Sequence, residues 1–316
     1  MLTRFADWFT YVLLRMSQGK LLSGAIHFFV YDIIKIYLLL VVVVFVVSMV
    51  QTWLAAEKIK RVLVRRNEVF GNMLATLMGA VAPFCSCSAI PLFIGFVESG
   101  VPLGVTMSFL VGSPMITPQG VVLLWGLFGA GVALLYVAMG LVIAVISGWI
   151  IGRLHLERWV EDYVYQMQMG GAAPLRVSTL KERVQSSWAS VRQIFRKVAP
   201  WVAVGIAIGA FIHGYAPEEL LARYAGRNNP FSVLIAVIVG IPLYSSSEGI
   251  IPIVQTLRAK GLPLGTTIAF MMAVVGLSLP EIIILRRMLK PRLLVTFVSI
   301  VGVGIIIVGY FFNWVF

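Results

Sequence analysis

The sequence LLLVVVVFVV occupies residues 38–47, and a predominantly apolar stretch extends around it over residues 33–56. A helix needs about 20 predominantly apolar residues to cross the hydrocarbon core of a bilayer. Three further stretches of comparable length and character cover residues 132–151, 198–215 and 293–316. The sequence therefore predicts at least four membrane-spanning helices.

The overall composition also favours a membrane protein. Of the 316 residues, 60% are hydrophobic and 12% are charged, and the mean hydropathy is +0.96; soluble domains carry about 25% charged residues. The net charge of +12 arises mainly from short clusters of Lys and Arg between apolar runs. This distribution is typical of cytoplasmic loops and not of a surface that follows nucleic acid. We therefore expect an all-α polytopic protein of a bacterial-type inner membrane, in contact with lipid and not with nucleic acid.

The apolar segments between the four long stretches are short and repeatedly interrupted. Proline, accompanied by Gly, Ser or Thr, marks these interruptions at Pro83, Pro91, Pro114, Pro118, Pro242, Pro252 and Pro280. Proline lacks a backbone N–H and ends or kinks a helix. Non-helical backbone at membrane depth persists only where protein or a water-filled cavity satisfies its polar groups. Paired interruptions are typical of transporter binding sites, so we expect broken or re-entrant helical hairpins in each half.

The two halves of the chain share motifs in the same order. The matched pairs are GVPLG at 100–104 with GLPLG at 261–265, PFCSCS at 83–88 with PLYSSS at 242–247, and, with small gaps allowed, TPQ at 117–119 with LPE at 279–281. Basic residues follow the first long helix of the first half but precede the last helix of the second half. The positive-inside rule then predicts two structural repeats in inverted orientation. The expected domains are an N-terminal interfacial segment (1–32), a first transmembrane repeat (33–152), a basic cytoplasmic linker (153–197) and a second transmembrane repeat (198–316).

Cys85 and Cys87 flank a single serine just after Pro83. Two thiols at this spacing can bind one soft centre, such as trivalent arsenic or a thiophilic metal, or can form a disulfide and exchange it. A buried cysteine can also serve simply as a small apolar residue. Serines occupy the matched positions of the second half, so geometry rather than sulfur could be the shared feature. Apart from these thiols no metal site is expected, since the three histidines are scattered, and no cofactor-binding motif is present.

Hydroxyl and carboxyl groups in the interruptions are further candidates. The candidate substrate-binding residues are Cys85, Ser86, Cys87, Ser88, Ser245, Ser246, Ser247 and Glu248, and the candidate coupling or pathway residues are Glu281, Gln119, Thr117 and Ser113. Hydroxyls in a helix break can bind an anion or a cation, or can bond back to their own helix. A carboxylate at membrane depth costs about 2.5–3.5 kcal/mol and usually marks a pathway or proton relay. The alternative for Glu248 and Glu281 is an interfacial position or an ion pair with Arg258, Arg286 or Arg287.

The motif APFCSCSAIP at residues 82–91, followed by GVPLG at 100–104 and by Ser113-Pro114, resembles the ArsP/YraQ-type permease family. The resemblance extends from about residue 33 to the C-terminus. Members of this family are inner-membrane permeases, and some are associated with efflux of trivalent organoarsenicals. The resemblance implies transport more strongly than it implies arsenic. It also implies that Cys85 and Cys87 are ligands for a soft solute, although serines replace them in the second half.

The expected function is that of a secondary permease, and not of an enzyme, which moves a small thiophilic solute by alternating access. Trivalent organoarsenicals or related soft species fit this expectation. One alternative is a transmembrane thiol–disulfide relay through Cys85 and Cys87, which a trapped mixed disulfide would favour. The other is a non-transporting membrane scaffold, which would tolerate Glu248→Gln and Glu281→Gln. A homo-oligomer is compatible with the sequence.

Overall fold

The computed structural model describes residues 2–13, 21–53, 68–81, 86–98, 100–161, 180–215, 229–243, 245 and 249–316. Thirteen α-helices lie in these ranges: α1 Leu2–Asp7, α2 Leu21–Trp53, α3 Glu68–Val81, α4 Ser86–Glu98, α5 Leu103–Met115, α6 Pro118–Phe128, α7 Ala130–Arg153, α8 Leu180–Tyr215, α9 Ser232–Gly240, α10 Ile250–Ala259, α11 Leu264–Gly276, α12 Leu279–Leu285 and α13 Pro291–Val315. A π-helical turn follows α1 and a 3-10 turn follows α7. Extended pairing within the described ranges is limited to one isolated bridge, so the predicted all-α class is confirmed.

Four helical spans in the described ranges are long and apolar enough to cross a membrane. They lie in α2, in α7, in α13 and in the run Leu264–Leu285. The pair α5 and α6 adds a fifth if its two helices count as one span, which bends by 46° at the break. Three of the four predicted long helices thus coincide with α2, α7 and α13, and the fourth, at residues 198–215, lies within α8.

The apolar run Leu264–Leu285 differs from the sequence prediction. Residues 262–275 and 281–285 are each too short to span, but α11 and α12 together form one span of 22 residues. Pro280 is the second residue of α12, where a missing N–H has no intrahelical partner to lose. The proline is therefore compatible with a helical start, and the break is confined to the junction around Leu277.

The chain divides into two compact units. Unit 1 comprises Met1–Leu38, Pro200–Ile284 and Gly302–Phe316, and unit 2 comprises Leu39–Ala199 and Leu285–Val301. Each unit contains the central helices of one half of the sequence. The predicted domain boundaries themselves stay a prediction.

The core of unit 2 is α5, in which all residues from Leu103 to Met115 are buried. Glycines allow α5 to approach its neighbours closely, as is common in membrane helices. A Cβ atom added at Gly79 of α3 would lie 3.0 Å from the backbone nitrogen of Ser113. One added at Gly148 of α7 would overlap Ser108 and the carbonyl oxygen of Gly104. The helix is thus held at backbone contact by α3 and by α7.

The core of unit 1 is α11, which is buried throughout except at Val275. A Cβ atom added at Gly240 of α9 would lie 3.0 Å from the Cβ of Ala273, and one added at Gly265 would overlap the carbonyl oxygen of Gly309 in α13. In addition, Asn313 Oδ1 accepts hydrogen bonds from two amides of the first turn of α11, at 2.7 and 3.3 Å. This helix is therefore also packed tightly between two neighbours.

Equivalent features recur 161 positions apart along the chain. Gly100 and Gly261 both adopt a positive φ, of 72° and 87°, which glycine tolerates without steric cost. Each is followed after one residue by a proline at the helix N-cap. The close contacts follow the same spacing, since Gly79, Gly104 and Gly148 correspond to Gly240, Gly265 and Gly309. Helices α6 and α12 also begin 161 residues apart. An alignment of the two halves at this spacing, without gaps, pairs Thr117 with Ser278 in sequence.

Candidate functional site

The cysteine motif precedes and begins helix α4. The backbone of Ser86, Cys87 and Ser88 forms the first turn of this helix, but their side chains lie outside the described part of the chain, as do Pro83 and Cys85. Pro91 lies inside α4 and does not separate two helices. The thiol chemistry predicted for this motif therefore stays a prediction.

The matching motif of the second half follows helix α9. Pro242 lies in the turn after this helix, where Leu243 N donates to Gly240 O at 3.0 Å. Ser245 is buried, whereas Ser246, Ser247 and Glu248 lie outside the described residues. Pro252 is the third residue of α10 and does not interrupt it.

The first-half break separates α5 from α6. Ser113 is fully buried in the last turn of α5, and Pro114 follows it within the same helix. Thr117 is the N-cap of α6, and its Oγ1 accepts a hydrogen bond from Gly120 N at 3.3 Å, which satisfies one of the orphan amides of a helix start. Pro118 occupies the first position of α6, where proline is favoured, and the neighbouring Gln119 is exposed.

The break also places carbonyl groups without helical continuation in the interior of unit 2. The last C=O groups of a helix have no intrahelical partner. One of them, Met115 O, accepts a hydrogen bond from the buried Tyr136 hydroxyl of α7. Tyr136 was not among the predicted site residues, although a tyrosine inside an apolar spanning helix is a signal that could have indicated it.

The second-half break separates α11 from α12. Ser278 and Glu281 are both buried at this break, with 2% and 4% of their surface exposed. Leu279 N donates to Ile241 O at 2.8 Å, which joins the start of α12 to the turn after α9. Ser245 follows Ile241 by only four residues. Unit 1 therefore places the start of α12 against the residue that immediately precedes Pro242, where the predicted polar stretch of the second half begins.

The two breaks differ in one hydrogen bond. Pro118 stands 161 positions before Leu279 and has no N–H to donate, so α6 cannot be joined to its neighbourhood as α12 is to Ile241. The helix pair of the first half bends by 46° at its break, whereas the second-half pair qualifies as one continuous span. Similar positions in the two halves thus support breaks of different geometry.

Two of the arginines that the sequence offers as ion-pair partners for Glu248 and Glu281 make other contacts. Arg258 donates to Leu262 O at 2.8 Å. Arg286 lies 3.4 Å from a carboxylate oxygen of Glu161 within unit 2. Among the described residues, no group of three or more His, Cys, Asp or Glu side chains could hold a metal ion.

Residues 21–314 match a protein-family model, ArsP_1, that is described as a predicted permease. The chain belongs to this permease family. The family resemblance that the motif at residues 82–91 predicts is therefore confirmed. With its apolar spans, the permease is a multi-pass protein of the bacterial cell membrane.

Several relatives resemble the permease over most of their length. The UPF0718 protein YraQ of Escherichia coli (strain K12) is 24% identical over 83% of this chain and 73% of its own. The UPF0718 protein YcgR of Bacillus subtilis (strain 168) is 22% identical over 80% of this chain and 86% of its own. A protein of Streptococcus mutans serotype c, whose name describes a subunit of a two-component membrane permease complex, is 21% identical over 82% of each chain. No solved structure matches the permease.

Proposed function

We propose that this permease is a secondary transporter that moves a small solute by alternating access around the two helix breaks. The observation that carries the proposal is that each half ends a fully packed apolar helix at a hydroxyl-bearing break, Thr117 in one and Ser278 in the other. Non-helical backbone within a membrane needs protein or water to satisfy its polar groups. In transporters, broken helices of this kind commonly line the solute site.

We further propose that the two halves form an inverted repeat. The 161-residue spacing of the close-packed glycines supports the equivalence of α7 and α13. Val160 follows α7 and Leu289 precedes α13, and the two residues form an antiparallel bridge within unit 2. This bridge supports an arrangement in which the end of α7 and the beginning of α13 lie on the same side of the membrane. Equivalent helices that run in opposite directions are what an inverted repeat requires.

The solute that we propose is soft and thiophilic, such as a trivalent organoarsenical. Cys85 and Cys87 would supply thiolate ligands, because soft ligands select soft centres. Ser86, Ser88 and the serines at 245–247 would supply polar contacts. The support for these contacts is the family resemblance and the burial of Ser245.

Glu281 is the residue that we propose for proton coupling. Its carboxyl group is buried in the first turn of α12, and Ser278 is buried one turn before it. A buried ionisable group in a membrane segment commonly belongs to an ion or proton pathway. Glu248 has the same proposed role in the adjoining motif.

Flux through proteoliposomes tests the proposal. Liposomes that contain the purified protein should transport a trivalent methylarsenical faster when a proton gradient is imposed. The Cys85→Ser, Cys87→Ser double variant should reduce this flux to that of protein-free liposomes. Glu281→Gln should abolish the dependence on the proton gradient, while Glu182→Gln, which changes an exposed carboxylate of α8, should not. Full flux in the double-cysteine variant would exclude thiol binding. Absence of flux for every soft solute, with a trapped mixed disulfide, would replace the transporter with the thiol relay.

A further inference from the structure

A basic surface lies where the chain leaves α7 and enters α13. Residues 154–161 follow α7, and residues 286–290 connect α12 to α13, all within unit 2. The two segments are joined by the bridge between Val160 and Leu289. Two further hydrogen bonds, Glu161 N to Met288 O and Lys290 N to Trp159 O, are each 2.8 Å long. This pairing holds the backbones of the two segments against each other.

Two exposed arginines stack on one indole ring in this surface. The guanidinium carbon of Arg292 lies 4.6 Å from the centre of the Trp159 ring, and that of Arg158 lies 5.5 Å from it. Because each guanidinium is a planar group with five donors, stacking on a ring leaves its edge able to bind phosphate oxygens in a bidentate way. Trp159 thus contacts two groups that can bind phosphate.

The surrounding charges are predominantly positive. Six basic residues lie in or beside the two segments: Arg153, Arg158, Arg286, Arg287, Lys290 and Arg292. Three carboxylates accompany them, Glu157 in the segment itself, Glu161 beside Arg286 and Glu68 beside Arg153. Six positive and three negative charges leave a net charge of +3, to which Arg158 and Arg292 contribute without an acidic partner in the described contacts.

The neighbouring apolar surface indicates a lipid as the occupant. Both segments join helices that are long and apolar enough to span the membrane. Trp149, Leu154 and Val295 are exposed near the ends of these helices, as expected of residues that face acyl chains and the interface. A soluble anion would not contact these apolar side chains, whereas a phospholipid carries both a phosphate group and acyl chains.

We propose that Arg158, Trp159 and Arg292 form a binding site for the phosphate group of an anionic phospholipid in the cytoplasmic leaflet. Basic residues near a membrane surface attract anionic lipids electrostatically, and stacking pre-orients the two guanidinium groups. The site does not depend on the identity of the transported solute.

Native mass spectrometry of the detergent-solubilised protein tests this site, because it measures how tightly individual lipids bind. Dioleoylphosphatidylglycerol should bind more tightly than dioleoylphosphatidylcholine. Removing either guanidinium group at Trp159 should weaken binding of the anionic lipid about fivefold, so Arg158→Gln with Arg292→Gln should weaken it about 25-fold. Binding of the zwitterionic lipid should not change.

Lys181→Gln with Arg192→Gln provides the matched control, because it removes two exposed basic residues of α8 that have no stacked tryptophan in the described contacts. This variant should stay within about threefold of the wild type, since it leaves both guanidinium groups at Trp159 in place. If the first double variant does not fold, Arg292→Gln alone should show the fivefold loss. Equal binding of both lipids, an unchanged affinity in the Arg158, Arg292 variant, or displacement of the lipid by inorganic phosphate would each overturn the proposal.

Discussion

The crossing of α5 and α7 provides a sharp test of how unit 2 is held together. Gly148→Ala would place a Cβ atom under 3.0 Å from both the Ser108 Oγ and the carbonyl oxygen of Gly104, a separation that real Cβ atoms essentially never show. Ser108 could rotate away, but it would then lose the hydrogen bond that it donates to Ala144 O at 3.0 Å. The Gly104 carbonyl is backbone and cannot move without separating the helices.

The expected loss of stability follows from three contributions. Overpacking a tight interior costs about 1–3 kcal/mol. The hydrogen bond of Ser108 contributes a further 0.5–1.5 kcal/mol or so. Replacing a helical glycine by alanine recovers about 1 kcal/mol of helix propensity. We therefore expect Gly148→Ala to lower the free energy of unfolding by about 1–3 kcal/mol.

Gly126→Ala is the matched control, because Gly126 lies in α6 and a Cβ atom there would meet nothing within 4 Å. Thermal unfolding in detergent, monitored by tryptophan fluorescence, should show a lower midpoint for Gly148→Ala and an equal or higher midpoint for Gly126→Ala. Unfolding in a denaturing detergent would give the corresponding free energies. If both variants were equally stabilised, the close approach of α5 and α7 would be refuted as a determinant of the fold.

Three further variants test contacts at the breaks and in unit 1. Tyr136→Phe should cost about 1–2 kcal/mol by leaving a buried carbonyl of the first break without its donor, whereas Tyr310→Phe, at an exposed hydroxyl, should cost less; chemical unfolding distinguishes them. Asn313→Ala should lower the unfolding midpoint by several degrees, since it removes acceptor and donor contacts to the start of α11, and an unchanged midpoint would contradict this. Leu279→Pro should destabilise by about 1 kcal/mol relative to Leu279→Ala, because proline at the first helical position removes only the N–H; equal stability of the two variants would show that this hydrogen bond contributes nothing.

The spanning helices could be predicted because lipid imposes a length and a composition on them. The stretches at 33–56, 132–151 and 293–316 can be identified without knowledge of tertiary contacts, since a spanning helix satisfies its backbone hydrogen bonds within its own segment. The positive φ of Gly100 and Gly261 could likewise be expected where a glycine precedes a proline-capped helix. The location of the first break could be expected from Pro118, because proline ends or kinks a helix.

The contacts that organise the candidate site could not be predicted from local pattern. Gly104 meets Gly148 and Gly265 meets Gly309 across 44 residues, and no periodicity in either helix specifies its partner. The pairing of Val160 with Leu289 joins segments from different halves of the chain. Whether Pro280 interrupts a helix or lies in its first turn depends on where the helix begins, and the sequence alone does not give that position.

The hydrogen bond of Leu279 connects sequence to mechanism in one step. Pro118 and Leu279 lie 161 positions apart, and each begins a helix that follows a break. Leu279 donates its N–H to Ile241 O in the turn after α9, whereas Pro118 has no N–H to donate. The second-half pair qualifies as one continuous span, and the first-half pair bends by 46°. If alternating access requires a break to change its bend, the first half lacks this backbone restraint and should move with less resistance. The first break, which contacts Tyr136, would then change its bend more readily than the second break, which contains Glu281.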